Sequence, residues 1–262
     1  MDTHHFKSFI ETLSRDSARA ILPHFGNHQL EVDAKDDDSP VTAADRESET
    51  CMRKKINQTF PDHGILGEEY GNEKIDAEYV WILDPIDGTK SFISGVPLFT
   101  TLIGLLHYGK PILGAIHQPV LGKLCIGDGK QCWLNGDLVS MRQRPLSAST
   151  LLMSEPYAIE HHQDEHGWRQ LVEKTMLHRS WGDGYGYMLV ATGWADIMCD
   201  PVLEPWDLLP VIPVVEGAGA RVTDWWGNAI RCDTEGRCAR SAICAHPNLH
   251  GKIVGILNQE SS

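Results

Sequence analysis

Trp81-Ile82-Leu83-Asp84-Pro85-Ile86-Asp87-Gly88-Thr89 is the stretch that decides the fold. The apolar run Val80-Trp81-Ile82-Leu83 is closed by Asp84-Pro85 and predicts a short buried strand. That strand delivers Asp84 at its C-terminal end. Pro85 fixes a bend, and Asp87 follows three residues after Asp84, so two carboxylates can face one point. Gly88 lets the backbone approach a ligand closely. Thr89 can cap a helix running through Lys90 and Ser91, and the N–H groups of a helix start attract anions. Carboxylates beside an anion site become compatible when a divalent cation lies between them. Magnesium suits such a place, because it binds a few carboxylates together with substrate phosphate. The same spacing also fits a plain strand end before a capped helix, since Asp-Pro and Asp-Gly pairs are common in turns.

Two further segments bear on that choice. Gly64-Ile65-Leu66 is a second short strand, ending in Gly67-Glu68-Glu69. Pro205-Trp206-Asp207 precedes an apolar helical run of Leu208, Leu209, Val211 and Val214. Alone, the first is also a solvated acidic turn, and Asp207 is also an N-terminal helix residue favoured by the macrodipole. Together the segments offer Glu68, Asp84, Asp87 and Asp207, four acids at element ends.

Around them, Phe6, Ile10, Leu13 and Ile21 predict a helix over 3–25, closed by Pro23. A charged irregular segment over 26–40 holds Asp36, Asp37 and Asp38. A second helix is predicted from Val41-Thr42 to about Phe60. From Leu98 to Val139 apolar runs alternate with turn signals, as in an antiparallel meander. Asn135-Gly136 is its best hairpin signal. The second half alternates strands near 150–154, 196–199, 219–223 and 241–245 with helices near 165–177, 184–193, 206–217 and 247–258. A soft boundary at Gln143-Arg144-Pro145 divides an N-terminal α+β half, 1–143, from a C-terminal α/β half, 144–262.

The 262 residues carry 23 Lys+Arg against 36 Asp+Glu, a net charge of −13, which argues against nucleic acid or an anionic membrane as partner. It leaves room for an anionic substrate, because metal ions reverse the local sign. Seven cysteines without a CxxC pair suggest neither a disulfide framework nor a zinc ribbon. No secretory signal opens the chain and no run reaches transmembrane length, so a cytoplasmic protein is expected.

The order Gly67-Glu68-Glu69, Asp84-Pro85-Ile86-Asp87-Gly88-Thr89, then Trp206-Asp207 with Glu216-Gly217-Ala218-Gly219 resembles the inositol monophosphatase family. Val41-Thr42-Ala43-Ala44-Asp45 and Ala191-Thr192-Gly193-Trp194-Ala195-Asp196 extend the resemblance over nearly the whole chain. It implies an α+β fold, a layered α-β-α-β-α sandwich, and a magnesium-dependent, lithium-sensitive phosphomonoesterase that forms a homodimer. It also implies two or three magnesium ions per active site. Glu68, Asp84 and the Ile86 carbonyl would hold the first, and Asp84, Asp87 and Asp207 the second. Gly88 and Thr89 would bind phosphate through backbone N–H groups. Ile86, Asp87 and Asp207 also border the substrate. Asp45 would orient Thr89, whose hydroxyl with Glu68 would position the attacking water. No histidine sits in these motifs, so a phosphohistidine route has no candidate.

Within the family, Lys90-Ser91-Phe92 and Trp181-Gly182-Asp183-Gly184-Tyr185-Gly186-Tyr187 resemble the histidinol-phosphate phosphatase branch. Asp200 also departs from the inositol-type pattern, which carries a Glu there. L-histidinol phosphate bears an ammonium group and a basic imidazole. Asp183, Asp200 and Glu204 would form an acidic wall complementary to them. The rival substrates are an inositol or sugar phosphate and 3′-phosphoadenosine phosphate. A rival of another class is a non-catalytic binder of phosphorylated ligands. It is disfavoured because Asp45, Glu68, Asp84, Asp87, Thr89 and Asp207 are all present.

Overall fold

The computed structural model describes residues 4–29, 31–34, 40–231 and 238–259. Asp36, Asp37 and Asp38 of the charged segment lie outside the described residues. Helix α1 (His4–Ile21) is followed by an antiparallel ribbon of β1 (Val32–Ala34) and β2 (Pro40–Thr42), then by helix α2 (Ala43–Thr59). The first large sheet takes β3 (Gly64–Gly67), β4 (Gly71–Glu73), β5 (Tyr79–Asp87), β6 (Thr100–His107), β7 (Lys110–Gln118), β8 (Lys123–Gly127), β9 (Cys132–Leu134) and β10 (Asp137–Val139). Its spatial order is β10-β9-β8-β7-β6-β5-β3-β4, antiparallel except for the β3/β5 pair. Short helix α3 (Thr89–Ile93) follows β5.

The second sheet has the order β12-β11-β13-β15-β14 and mixed direction, from β11 (Thr150–Leu152), β12 (Leu177–Arg179), β13 (Ile197–Asp200), β14 (Arg221–Thr223) and β15 (Ala242–Ala245). Between these strands lie α4 (Ile159–His162), α5 (Glu165–Lys174), α6 (Asp183–Ala191), α7 (Pro205–Leu208) and α8 (Val211–Gly217), and α9 (Pro247–Leu257) follows them.

Period-two alternation stacks these parts into five layers. Trp81 and Leu83 of β5 pack with Ile10, Leu13, Met52 and Ile56 from α1 and α2. On the sheet's other face, Leu102 and Ile116 meet Met188, Val211 and Val214 of α6 and α8. The same two helices cover one face of the second sheet through Leu152, Met198 and Cys244. The intervening residues Leu151, Ile197, Cys199 and Ile243 point the other way, onto Trp168, Leu171, Ile253 and Leu257 of α5 and α9. The result is the expected α-β-α-β-α sandwich.

Several local expectations need adjustment. β5 does not stop at Leu83 but runs to Asp87, so the Asp84–Asp87 motif is part of the sheet. The predicted helix over 206–217 is broken into α7 and α8. The helix over 165–177 ends at Lys174, and Leu177–Arg179 becomes an edge strand. Asn135 (φ 51) and Gly136 (φ 93) form the two-residue turn between β9 and β10, with Leu134 opposite Asp137. Cys51, Cys125, Cys132, Cys199 and Cys244 are free thiols, and Cys238 is disulfide-bonded, with no disulfide framework among the described residues.

Candidate active site

β3 and β5 run parallel, with Gly67 opposite Leu83, so the two strands end side by side. The Glu68 N–H donates to the Leu83 carbonyl at 3.1 Å, which sets Glu68 next to Asp84. The register between β5 and β6 then shifts between Asp84 and Asp87, before Asp87 pairs with Thr100. Pro85 sits at this break, where its missing N–H costs no ladder bond. Its carbonyl accepts the Thr101 hydroxyl at 2.8 Å. The fourth acid arrives from the C-terminal half. Asp207 lies in the first turn of α7, and its Oδ2 accepts the Glu204 N–H at 2.8 Å. One carboxylate oxygen each from Asp84, Asp87 and Asp207 lie within 4.8 Å of one another.

Such convergence is costly without a cation. Burial first, then the charges of Glu68, Asp87 and Asp207, push the Asp84 carboxyl well above its usual range. Burial first, then Asp183 and Asp207, do the same to Asp87. Asp207 is raised to about 7, again chiefly by burial. Asp84 Oδ1 is a buried carboxylate oxygen with no hydrogen-bond partner. Hard oxygen donors with an unsatisfied buried atom fit a hard divalent cation.

Asp87 is fixed from both halves of the chain. Its Oδ2 accepts the Thr100 hydroxyl at 2.9 Å and the Gly184 N–H. A Cβ on Gly184 would lie 2.4 Å from Thr100 Oγ1 and 2.7 Å from Asp87 Oδ2, so only glycine allows this approach. The glycine was visible in the Trp181–Tyr187 run, but its role was not; Thr100 carried no signal in the sequence. Gly88 takes φ +85, a left-handed conformation that turns the chain from β5 into α3.

Thr89 and Asp45 depart from the expected pairing. The Thr89 hydroxyl donates to the Ile86 carbonyl at 2.9 Å, a local bond three residues back. Asp45 is the third residue of α2, and its Oδ2 accepts the Thr42 N–H at 2.8 Å and the Thr42 hydroxyl at 2.7 Å. It therefore caps its own helix and does not orient Thr89 here. Its Oδ1 stays buried without a partner, and burial raises its pKa to about 6.

The proposed acidic wall separates into three different residues. Asp183 opens α6 at φ 51, and a Cβ on Gly88 would lie 2.8 Å from its Oδ2. Burial first, then Asp200, raise its pKa to about 6. Asp200 is fully buried, with Oδ1 accepting the Ser154 N–H at 2.9 Å and Oδ2 the Tyr187 hydroxyl at 2.9 Å. Both oxygens are committed inside the fold, so a direct substrate contact is not open to it. Glu204 is ion-paired with Arg240 in a largely exposed pair.

Glu49 is a supporting residue that sequence reasoning passed over. It is fully buried, and it accepts the Glu69 N–H at 2.8 Å, the Tyr70 N–H at 3.2 Å and the Arg53 Nε–H at 2.7 Å. It thereby ties the turn after Glu68 to α2. The available signal was its spacing with Asp45, Met52 and Ile56, which places a carboxylate on the core face of the helix.

An acid cluster assembled from both halves of a five-layer sandwich, beside a left-handed Gly-Thr turn, defines a metal-dependent phosphatase fold. The sequence pattern of the inositol monophosphatase family matches residues 2–262, and the chain belongs to that family. It acts within a class of hydrolases for small-molecule phosphate esters. A histidinol-phosphatase from Chlorobaculum parvum is 40% identical over 226 residues, covering 86% of this chain and 87% of that protein. A chloroplastic bifunctional phosphatase from Arabidopsis thaliana is 42% identical over 216 residues, which span 81% of this chain but 62% of the plant protein's length. An inositol monophosphatase from Zymomonas mobilis superposes with a TM-score of 0.87 at 31% identity, covering 99% of this chain and 100% of that one. Among the described residues no helix is long and apolar enough to cross a membrane.

Proposed function

We propose that the protein is a magnesium-dependent phosphomonoesterase that hydrolyses L-histidinol phosphate to L-histidinol and inorganic phosphate. The observation that carries this is the Asp183 carboxylate beside Gly88. An acid at the rim of the phosphate turn complements an ammonium or imidazolium on the leaving group. An inositol ring offers it hydroxyls only. The 40% identity to a histidinol-phosphatase supports the same substrate.

Glu68, Asp84 and the Ile86 carbonyl are assigned to one magnesium ion, and Asp84, Asp87 and Asp207 to a second. The Ile86 carbonyl can serve while still accepting the Thr89 hydroxyl, because it has two lone pairs. Bound magnesium supplies Lewis-acid stabilisation and acidifies water. Gly88 and Thr89 hold the phosphoryl oxygens through their N–H groups. Glu68 and the Thr89 hydroxyl hold the water in line with the ester oxygen. Attack of the water forms one P–O bond and breaks the ester P–O bond, and the proton the water gives up balances the one the leaving alkoxide takes up. The alkoxide takes up a proton and leaves as the alcohol L-histidinol.

The test is a substrate panel with magnesium: L-histidinol phosphate, inositol 1-phosphate and 3′-phosphoadenosine 5′-phosphate. The highest kcat/KM is expected for L-histidinol phosphate. A higher value for either other ester overturns the substrate assignment. We also infer a homodimer, to be checked by sedimentation, and a cytoplasmic location.

A further inference from the structure

Three elements of the second half converge behind Asp183. Ser154 follows β11, Asp200 ends β13, and Tyr187 lies in α6. The Ser154 Oγ accepts the Asp183 N–H at 2.7 Å. The Ser154 N–H donates to Asp200 Oδ1 at 2.9 Å, and the Tyr187 hydroxyl donates to Asp200 Oδ2 at 2.9 Å. The two backbones are pressed together at this point, for a Cβ on Gly182 would lie 2.3 Å from the Ser154 Cα. The chain therefore reaches Asp183 along a fixed track and enters it at φ 51, a conformation a non-glycine residue adopts at a cost. Something must hold it there, and the Ser154 hydroxyl is the side chain that receives its N–H.

We propose that Ser154 is a positioning residue for substrate selectivity, held by the buried Asp200–Tyr187 pair and acting through Asp183. This rests on the assignment of Asp183 to the cationic leaving group. The Asp183 carboxylate is short, so its place over Gly88 follows from its backbone. Releasing its N–H lets Asp183 and its carboxylate drift from the position it must occupy, while Gly184, the next residue of α6, stays tied to Asp87 through its own N–H. Recognition of a cation there is lost, while the metal ligands keep their own supports in Thr100, Gly184 and Glu204.

The experiment compares kcat/KM for L-histidinol phosphate and for p-nitrophenyl phosphate in the full-length protein with magnesium. Asp183→Asn should lower the ratio of the two by about 10- to 150-fold, as for a lost charge-assisted hydrogen bond. Ser154→Ala should lower the same ratio by about 3- to 10-fold, as for a lost neutral hydrogen bond. The loss should fall mainly in KM for L-histidinol phosphate. Ser154→Thr, which keeps the hydroxyl, should restore the ratio. In Ser154→Ala/Asp183→Asn the losses should not add, because both act on one carboxylate. If Ser154→Ala does not fold, Ser154→Cys takes its place, being close in size and a poor hydrogen-bonding group. An unchanged ratio in the folded Ser154 variant, with a lowered ratio in Asp183→Asn, overturns the positioning role alone. An unchanged ratio in Asp183→Asn overturns the assignment of Asp183 itself. Equal loss on both substrates in the Ser154 variant makes the residue structural and also overturns the proposal.

Discussion

The Asp183 carboxylate and Gly88 meet so closely that a Cβ on Gly88 would stand 2.8 Å from Asp183 Oδ2. The two residues come from opposite halves of the chain, and their contact joins the Gly88-Thr89 turn to α6. Gly88→Ala should therefore act twice. It forces an L-residue to φ +85, costing about 1–2 kcal/mol. It also pushes Asp183 away from the turn. Phosphatase activity should fall by at least about tenfold while Tm drops by only a few degrees. Steady-state kinetics and a melting curve check this. Wild-type activity in the alanine variant would remove Gly88 from the phosphate cradle.

Magnesium and pH should act on stability together. Asp45 and Asp183 are raised to about 6 and Asp207 to about 7, all above the carboxyl value of 3.8, and burial is the leading cause in each. A raised folded-state pKa favours the protonated native form. That contribution is complete below about pH 4 and is lost as pH rises through 6 to 7. In EDTA, Tm should fall between pH 5 and pH 8. Magnesium should flatten that fall, because it binds the ionised acids. At about 100-fold excess over its Kd it adds about 2.7 kcal/mol at neutral pH. Parallel melting series with EDTA and with magnesium test the effect. A Tm that rises with pH in EDTA would contradict it.

Glu49 should matter to metal binding without touching the metal. Its two oxygens hold the Glu69 and Tyr70 N–H groups and the Arg53 guanidinium. Glu49→Ala releases the Glu69 and Tyr70 N–H groups, while Arg53 keeps the Gly71 carbonyl and Glu73, and should cost about 1.5–3 kcal/mol of stability. Glu49→Gln keeps one acceptor and should fold. With the turn after Glu68 loosened, its magnesium Kd should rise by about tenfold, in the range seen for groups that support metal ligands. Titration calorimetry of the Gln variant decides the matter, and an unchanged Kd would make Glu49 a purely structural acid.

The layered fold was legible because its signals are local. The α1 spacing, the Asn135-Gly136 turn and the short apolar strands each determine their own segment. The clustering of Asp84, Asp87 and Asp207 was legible for a different reason: all three stand in motifs of the family pattern, although Asp84 lies inside β5 and Asp207 in the first turn of α7. The fates of Asp200 and Glu204 were not legible. Both are acids near Asp207 in sequence, yet one is sealed by Ser154 and Tyr187 and the other is paired with Arg240. Those partners are 13 to 46 residues away along the chain, and only tertiary packing selects them. Asp45 shows the same limit at short range. Its Oδ2 is taken by the capping bonds to Thr42, three residues away, while its Oδ1 is left without a partner.

Asp84→Asn gives the sharpest test of the acid cluster. Asp84 is the one acid assigned to both magnesium ions, and its Oδ1 is buried with no hydrogen-bond partner. The amide keeps the shape of the side chain but removes the negative charge, and a neutral oxygen is a much weaker magnesium ligand. Without metal, the substitution relieves repulsion with Glu68, Asp87 and Asp207, so the variant should melt no lower than wild type in EDTA. With magnesium, the wild-type rise in Tm should be largely absent from the variant. Turnover should fall by about a thousandfold or more, the equivalent of the several kcal/mol that a metal contributes to the transition state. The two readouts separate the possible faults. A variant that melts well below wild type in EDTA has lost the fold, and its inactivity says nothing of the metal. A variant that is stable in EDTA, gains the full magnesium rise and still turns over would remove Asp84 from the metal site.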